Sequence, residues 1–236
     1  MAKMGTTESN RNEGWHRLRF QLKYIIPLAT RFRKKRLQFF KTLISRLPRP
    51  LTILDVGGNE FFWEQVGFTQ SADVNILLLN LTKERVRYRN FTSIQGDARD
   101  MREFRNEQFD VVFSNSVIEH VGRYEQQCQM AGEIRRVGKR YWVQTPNRRF
   151  PVDPHFLIPF LQLYPMWLKT LATRYIDIGS FGKIYDRKLA ENYFTNSHRL
   201  LSEHEVRVLF PGGQLYKEKL CGLTKSFVVY GGWNST

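Results

Sequence analysis

Small and polar residues recur in this 236-residue sequence directly after apolar runs, where backbone and side chain can both meet a ligand. "LTIL" runs into Asp55, Gly57, Gly58 and Asn59, and "VNILLL" is followed by Asn80. "FTSIQ" is followed by Gly96, Asp97 and Ala98, and "FDVVFS" by Asn115, Ser116, Glu119 and His120. Glycine lets the main chain approach a ligand closely, and Asp and Asn accept hydrogen bonds from hydroxyls and amines, Asn donating as well. His120, together with Asp153 and His155 of "TPNRRFPVDPHF", can take a proton from a reacting group. No Cys/His cluster has zinc spacing, so no metal site is expected. Cys128 and Cys221 read as two buried thiols in a reducing compartment.

The elements that must position these groups follow from hydrophobic patterning. Strands are expected at "LTILDV", 74–81, 91–101, 109–116 and 139–147, with a short helix at "FFWEQVGF". A helix over 126–138 would place Cys128, Ala131, Ile134 and Val137 on one face. Apolar strands alternating with helices or crossovers imply a mostly parallel sheet covered on both faces, which binds ligands at its carboxyl edge. The end differs: a helix over 201–210 with Ser202 as cap and Glu205 at the third position, then two strands joined near Thr224, hence antiparallel.

Charge divides the chain further. Net charge is +15, and residues 11–50 hold twelve basic residues against Glu13, a balance of +11. Residues 1–50 therefore read as a tail and a basic helical arm. Its helical segment, 15–47, is broken at Pro27 and bears an apolar stripe of Phe32, Phe39, Phe40, Leu43 and Leu47. Residues 51–236 read as one domain. The start lacks the apolar core of a signal peptide, and "FLIPFLQLYPMWL" is too short and proline-broken to span a bilayer. A cytoplasmic protein is expected, with any membrane contact peripheral, at the inner face and through the arm.

The ordered motifs "LDVGG", "GDARDM", "FDVVFSNSVIEHV" and "EIRRVGKRYWVQTPN" resemble those of class I S-adenosylmethionine-dependent methyltransferases, in the type 11-like subgroup with an "EHV" fourth motif. The resemblance covers roughly residues 51–147. It implies a Rossmann-like α/β fold with a seven-stranded, mostly parallel sheet, a C-terminal antiparallel strand and helices on both faces. It also implies S-adenosylmethionine as cofactor, held by Asp55, Gly57, Gly58, Asn59, Asn80, Asp97, Ala98 and Asn115. Two departures stand out. Asn59 and Phe61 replace the later glycines of the first motif, and Asn80 stands where the family commonly has an acid bonding both ribose hydroxyls. A sulfonium bearing a neutral ribose has no phosphates to cradle, so one permissive backbone position can suffice.

Residues 148–200 read as an acceptor-side insertion or lid, with Asp153, His155 and His120 as candidate bases. The leading reading is methyl transfer by direct displacement to a small-molecule, lipid-linked or glycan-type acceptor. One alternative is RNA methylation with the arm on phosphates, although "SNSV" replaces the "NPPY" of base-amino methyltransferases. Another is a non-catalytic partner protein that keeps the fold.

Overall fold

A computed structural model of the chain describes residues 26–152, 164–175, 184–196 and 198–233. The chain divides into two units, Met1–Leu47 and Pro48–Thr236.

In the first unit, helix α1 (Ile26–Ile44) carries Pro27 in its first turn, where the missing N–H would have had no partner anyway. The expected first helical piece, residues 15–25, lies outside the described residues. Leu37, Phe40, Ile44 and Leu47 are buried, whereas Arg31, Arg33, Lys34 and Lys35 are exposed. The buried stripe is rotated from the expected one, with Phe32, Phe39 and Leu43 only partly covered.

The second unit is built on a seven-stranded sheet of order β3-β2-β1-β4-β5-β7-β6. The strands are β1 (Leu51–Val56), β2 (Val74–Asn80), β3 (Phe91–Gln95), β4 (Val111–Asn115), β5 (Tyr141–Pro146), β6 (Gln214–Leu220) and β7 (Leu223–Gly231). The first five run parallel, while β7 pairs antiparallel with both β5 and β6. Strand order turns around between β1 and β4. Register there brings Val56 level with Leu79 and Ser114, so the loops after β1, β2 and β4 emerge at one edge.

Alternation along β1 feeds two cores. Leu54 and Val56 pack with Met130, Ile134 and Val137 of α3 (Tyr124–Val137) and with Val206 and Leu209 of α6 (Glu203–Leu209). Ile53 and Asp55 face the other way, toward α2 (Glu60–Val66), where the buried Trp63 ring lies 5.2 Å from that of Phe113. The caps explain the ends of α2: the Asn59 side chain accepts from Phe62 N, and Gly67 closes the helix in the left-handed region. Ser202 and Glu205 form a capping box on α6, as the sequence predicts.

Three expectations change. Cys128 and Cys221 are both exposed, not buried. On α3 the inward position beside Ala131 is taken by Gln127, whose amide donates to the carbonyls of Ile118 and Arg199 at 2.9 and 2.7 Å. The β6–β7 connection is Cys221-Gly222, both at positive φ, as a two-residue hairpin requires; Thr224 already pairs in β7.

Residues 148–200 leave and rejoin the sheet at one place. Asn147 bridges Leu201, and Arg148 N donates to Leu201 O at 2.9 Å. The Glu205 carboxylate takes Arg148 Nη1 at 3.3 Å and Arg199 Nη2 at 2.5 Å, so one side chain of α6 holds both ends of the excursion. Within it lie α4 (Met166–Tyr175) and α5 (Arg187–Asn196).

Candidate functional site

A cavity of about 410 Å³ opens at the carboxyl edge of β1, β2, β3 and β4. Gly57, Asn80, Asp97 and Ala98 line it, as do Leu79, Leu81, Val117, Val121 and His120. The structure thus brings together half of the expected cofactor residues and one expected base. Asp55, Gly58, Asn59 and Asn115 do not line it, and Asp153 and His155 lie outside the described residues.

The loop after β1 is shaped by the absence of side chains. Gly57 sits at φ 77°, and a Cβ there would lie 2.6 Å from Val117 Cγ2. A Cβ on Gly58 would fall 1.6 Å from the Asp55 carboxylate. Asp55 is buried and accepts the Trp63 Nε1–H at 2.6 Å. Burial raises its pKa to about 7, against the smaller downward pull of Trp63. Asp55 therefore ties the loop to the core beneath, and Asn59 begins α2.

Asn80 turns its amide inward, with Nδ2 donating to Gly58 O at 2.9 Å. That bond joins the β1 and β2 loops and leaves Oδ1 as an acceptor. An acid at this position would lack the donor. Asp97 forms a two-pronged pair with Arg99, at 2.9 Å to Nε and 2.6 Å to Nη2, and also accepts Arg99 N. These bonds hold its pKa below the ordinary value. Oδ1 takes both Arg99 N and Nε, and Oδ2 takes Nη2 while sharing Nε at 3.0 Å, so a ligand donor would share this carboxylate with Arg99.

The segment after β2 supplies residues that motif reading missed: Leu81, Thr82 and Glu84 all line the cavity. Their placement depends on Glu60, a buried carboxylate in α2 that accepts Arg87 N at 2.7 Å and Tyr88 N at 3.1 Å. Glu84 N donates to the buried Ser93 hydroxyl at 3.0 Å. The sequence shows only an acid at the start of this helix; its burial, which requires donors, is set by the fold.

After β4 the chain makes a 3₁₀ turn, Ile118–His120. Ser116 at φ 58° starts it, its hydroxyl donating to Gln144 Oε1 at 2.7 Å. Glu119 is buried and accepts Thr145 Oγ1 at 3.1 Å, while His120 is exposed at the cavity rim. The His198 ring, also missed in the motifs, stands 6.2 Å from that of His120. Arg199 N donates to Glu119 O at 2.7 Å, so the end of the 148–200 excursion is fastened to this turn.

Residues 60–141 match the family model described as a methyltransferase domain. Magnesium protoporphyrin IX methyltransferase of Synechocystis, solved with bound SAH, aligns at 11% identity and TM-score 0.50 over 85% of this chain and 81% of its own. A Rhodobacter sphaeroides structure named as a candidate zinc-dependent alcohol dehydrogenase aligns at 14% identity and TM-score 0.50, covering 80% and 86%. An Aquifex aeolicus SAM-dependent methyltransferase aligns at 15% identity and TM-score 0.45, covering 82% and 86%. The sequence matches no curated protein. Likeness at such identities shows the fold alone, whereas the 60–141 match speaks to the class. Over residues 60–141 the chain thus matches a methyltransferase domain, and its fold is that of class I methyltransferases, which use S-adenosylmethionine as methyl donor.

The residues present fit that donor. The positive-φ glycine admits a close ligand, Leu79, Leu81, Val117 and Val121 offer apolar walls, and Asn80, Asp97 and Glu84 offer acceptors for hydroxyl and amino groups.

Proposed function

We propose that this protein transfers a methyl group by direct displacement to a small-molecule, lipid-linked or glycan-type acceptor. S-adenosylmethionine supplies an electrophilic methyl on its sulfonium. Gly57, Asn80, Asp97 and Ala98 would hold it, with Asp55, Gly58 and Asn59 keeping the first loop in shape and Asn115 ending β4 beside them. His120, at the rim, would take the acceptor's proton, with Asp153 and His155 as further acceptor-side groups. Residues 148–200 would cover the reacting atoms and exclude water, which is what in-line transfer needs from a protein.

The observation that carries the acceptor class is the charge at the cavity mouth. The charged lining residues are Glu84, Asp97 and Arg99, and Arg99 is already paired with Asp97. A nucleic-acid site needs cations aimed at phosphates, and among the described residues lining this mouth the one Arg or Lys is the paired Arg99. The cations of residues 15–47 support a separate contact with an anionic membrane surface at the cytoplasmic face.

The test is transfer of a labelled methyl from S-adenosylmethionine to cell extracts fractionated into small molecules, lipids, glycans and RNA. Label in the first three classes, lowered about 10²-fold or more by His120→Ala with cofactor affinity kept within a few fold, is expected. Label confined to RNA overturns the reading.

A further inference from the structure

Helix α4 is built inside out. Its buried side chains are Thr170 and Thr173, while Trp167, Leu171 and Tyr175 are 62%, 41% and 70% exposed. These three stand at i, i+4 and i+8, on one face. The threonines are placed inward because they have work there. The Thr173 hydroxyl lies 2.6 Å from Ile184 O and 2.8 Å from Thr170 O, and Ile184 N donates to Thr173 O at 3.0 Å. These contacts fasten the chain entering α5 against α4. Tyr185 and Leu189 of that second limb are also exposed. Exposed apolar side chains gathered on one pair of helices mark an interaction surface.

The kind of partner is indicated by what accompanies them. A groove of about 180 Å³ between the helices is lined by Trp167, Thr170, Leu171, Arg174 and Arg187. Helix α4 contains Lys169 and Arg174 and no acid, and Lys188 is exposed on α5. Arg187 pairs with Glu191 at 2.7 Å and Asp186 is exposed beside them, so against Lys169, Arg174 and Lys188 the net charge of this face is modest and positive. A protein partner's core would favour an unbroken apolar patch, and a nucleic acid would need more cations than these. Trp and Tyr with apolar bodies and polar tips, mixed with Arg and Lys, suit the headgroup layer of a bilayer. Among the described residues no helix is long and apolar enough to cross a membrane, so the contact is one that lies on the surface.

We infer that the outward face of α4 and α5, centred on Trp167, Leu171, Arg174 and Tyr175, docks on an anionic lipid bilayer. The inference concerns residues distinct from the basic arm and holds whatever the methyl acceptor is. The full-length chain is sedimented with vesicles of pure phosphatidylcholine and of phosphatidylcholine with phosphatidylserine. A triple variant, Trp167→Ser, Leu171→Ser and Tyr175→Ser, is compared; these side chains are exposed, so its melting curve should match the parent's. A second variant, Arg174→Gln with Lys188→Gln, leaves the apolar face whole. Expected are binding to the anionic vesicles, an at least tenfold loss in the triple variant, and a several-fold loss in the charge variant that disappears at high salt. Equal sedimentation of parent and triple variant overturns the inference and leaves the arm as the anchor. So does binding to RNA in place of vesicles, or light scattering that shows a dimer in the parent and a monomer in the triple variant.

Discussion

The Val117 side chain occupies the space in which a side chain on Gly57 would have to start: a Cβ at Gly57 would lie 2.6 Å from Val117 Cγ2 and 2.8 Å from Cγ1. The loops after β1 and β4 are thus fitted to each other through a missing methyl group. Gly57→Ala should weaken S-adenosylmethionine binding more than tenfold by titration calorimetry. The double variant with Val117→Ala should recover only some of it. Space is restored, but the left-handed backbone still costs about 1–2 kcal/mol for a residue with a Cβ. Full recovery in the double variant would show that crowding alone matters.

Asn80→Asp restores the acid common in the family, yet it should bind the cofactor less well. Asn80 Nδ2 donates to Gly58 O at 2.9 Å, and a carboxylate would set two oxygens against each other. Loss of a bond at a partly buried site costs about 1–3 kcal/mol, roughly a tenfold fall in affinity. Tighter binding in the variant would mean that the Asn80–Gly58 bond is dispensable.

Asp55→Asn should alter how stability depends on pH. The buried carboxyl has its pKa raised from 3.8 to about 7 by desolvation. Below about 4 both folded and unfolded chains hold the proton, and burial of the group is fully tolerated. As pH rises toward 7 the unfolded chain gives up its proton while the fold retains it, so this contribution is lost as pH climbs through the folded value. Asparagine can still accept from Trp63 and has no charge to bury. Thermal melts from pH 4 to 8 should show the variant gaining on the parent as pH rises, by at most about 4 kcal/mol. Parallel curves would place the ionised form of Asp55 at no disadvantage.

Glu205 behaves in the opposite sense. Burial would raise its pKa, but bonds from Ser202 and Arg199 outweigh it and hold the group at about 2. Its contribution is present above the ordinary 4.5 and lost as pH falls toward 2. Glu205→Gln keeps the helix cap acceptor but loosens Arg148 and Arg199. Proteolysis within 148–200 should quicken several-fold at neutral pH while the sheet resists. An unchanged cleavage rate would assign Glu205 to capping alone.

Much of this was legible from residue order. The first five strands are largely apolar runs of five to seven residues with small polar residues behind them, and their parallel pairing follows from the spacing. What escaped reading did so because polar residues were used inward. Gln127 is buried since its amide satisfies two carbonyls, and its presence turns α3 away from the face that would bury Cys128. Thr170 and Thr173 are buried for a similar reason, which inverts the apolar pattern of α4 and hides it from any rule that sends hydrophobic residues inside. Leu81, Thr82 and Glu84 reach the cavity through a contact with Glu60 more than twenty residues away, which no local motif encodes.

The meeting of Asn147 with Leu201 gives the long excursion between them a common root. Its ends are already joined, so adding or deleting residues within it changes little of the entropy of closure, which grows only with the logarithm of length. The donor-binding edge is made by the loops after the first four strands, upstream of that root. A chain organised this way is a socket with a removable fitting. On the proposed reading, the segment on the acceptor side can be exchanged, lengthened or regrown by recombination at residues 147 and 201 while the edge proposed to hold the donor stays as it is.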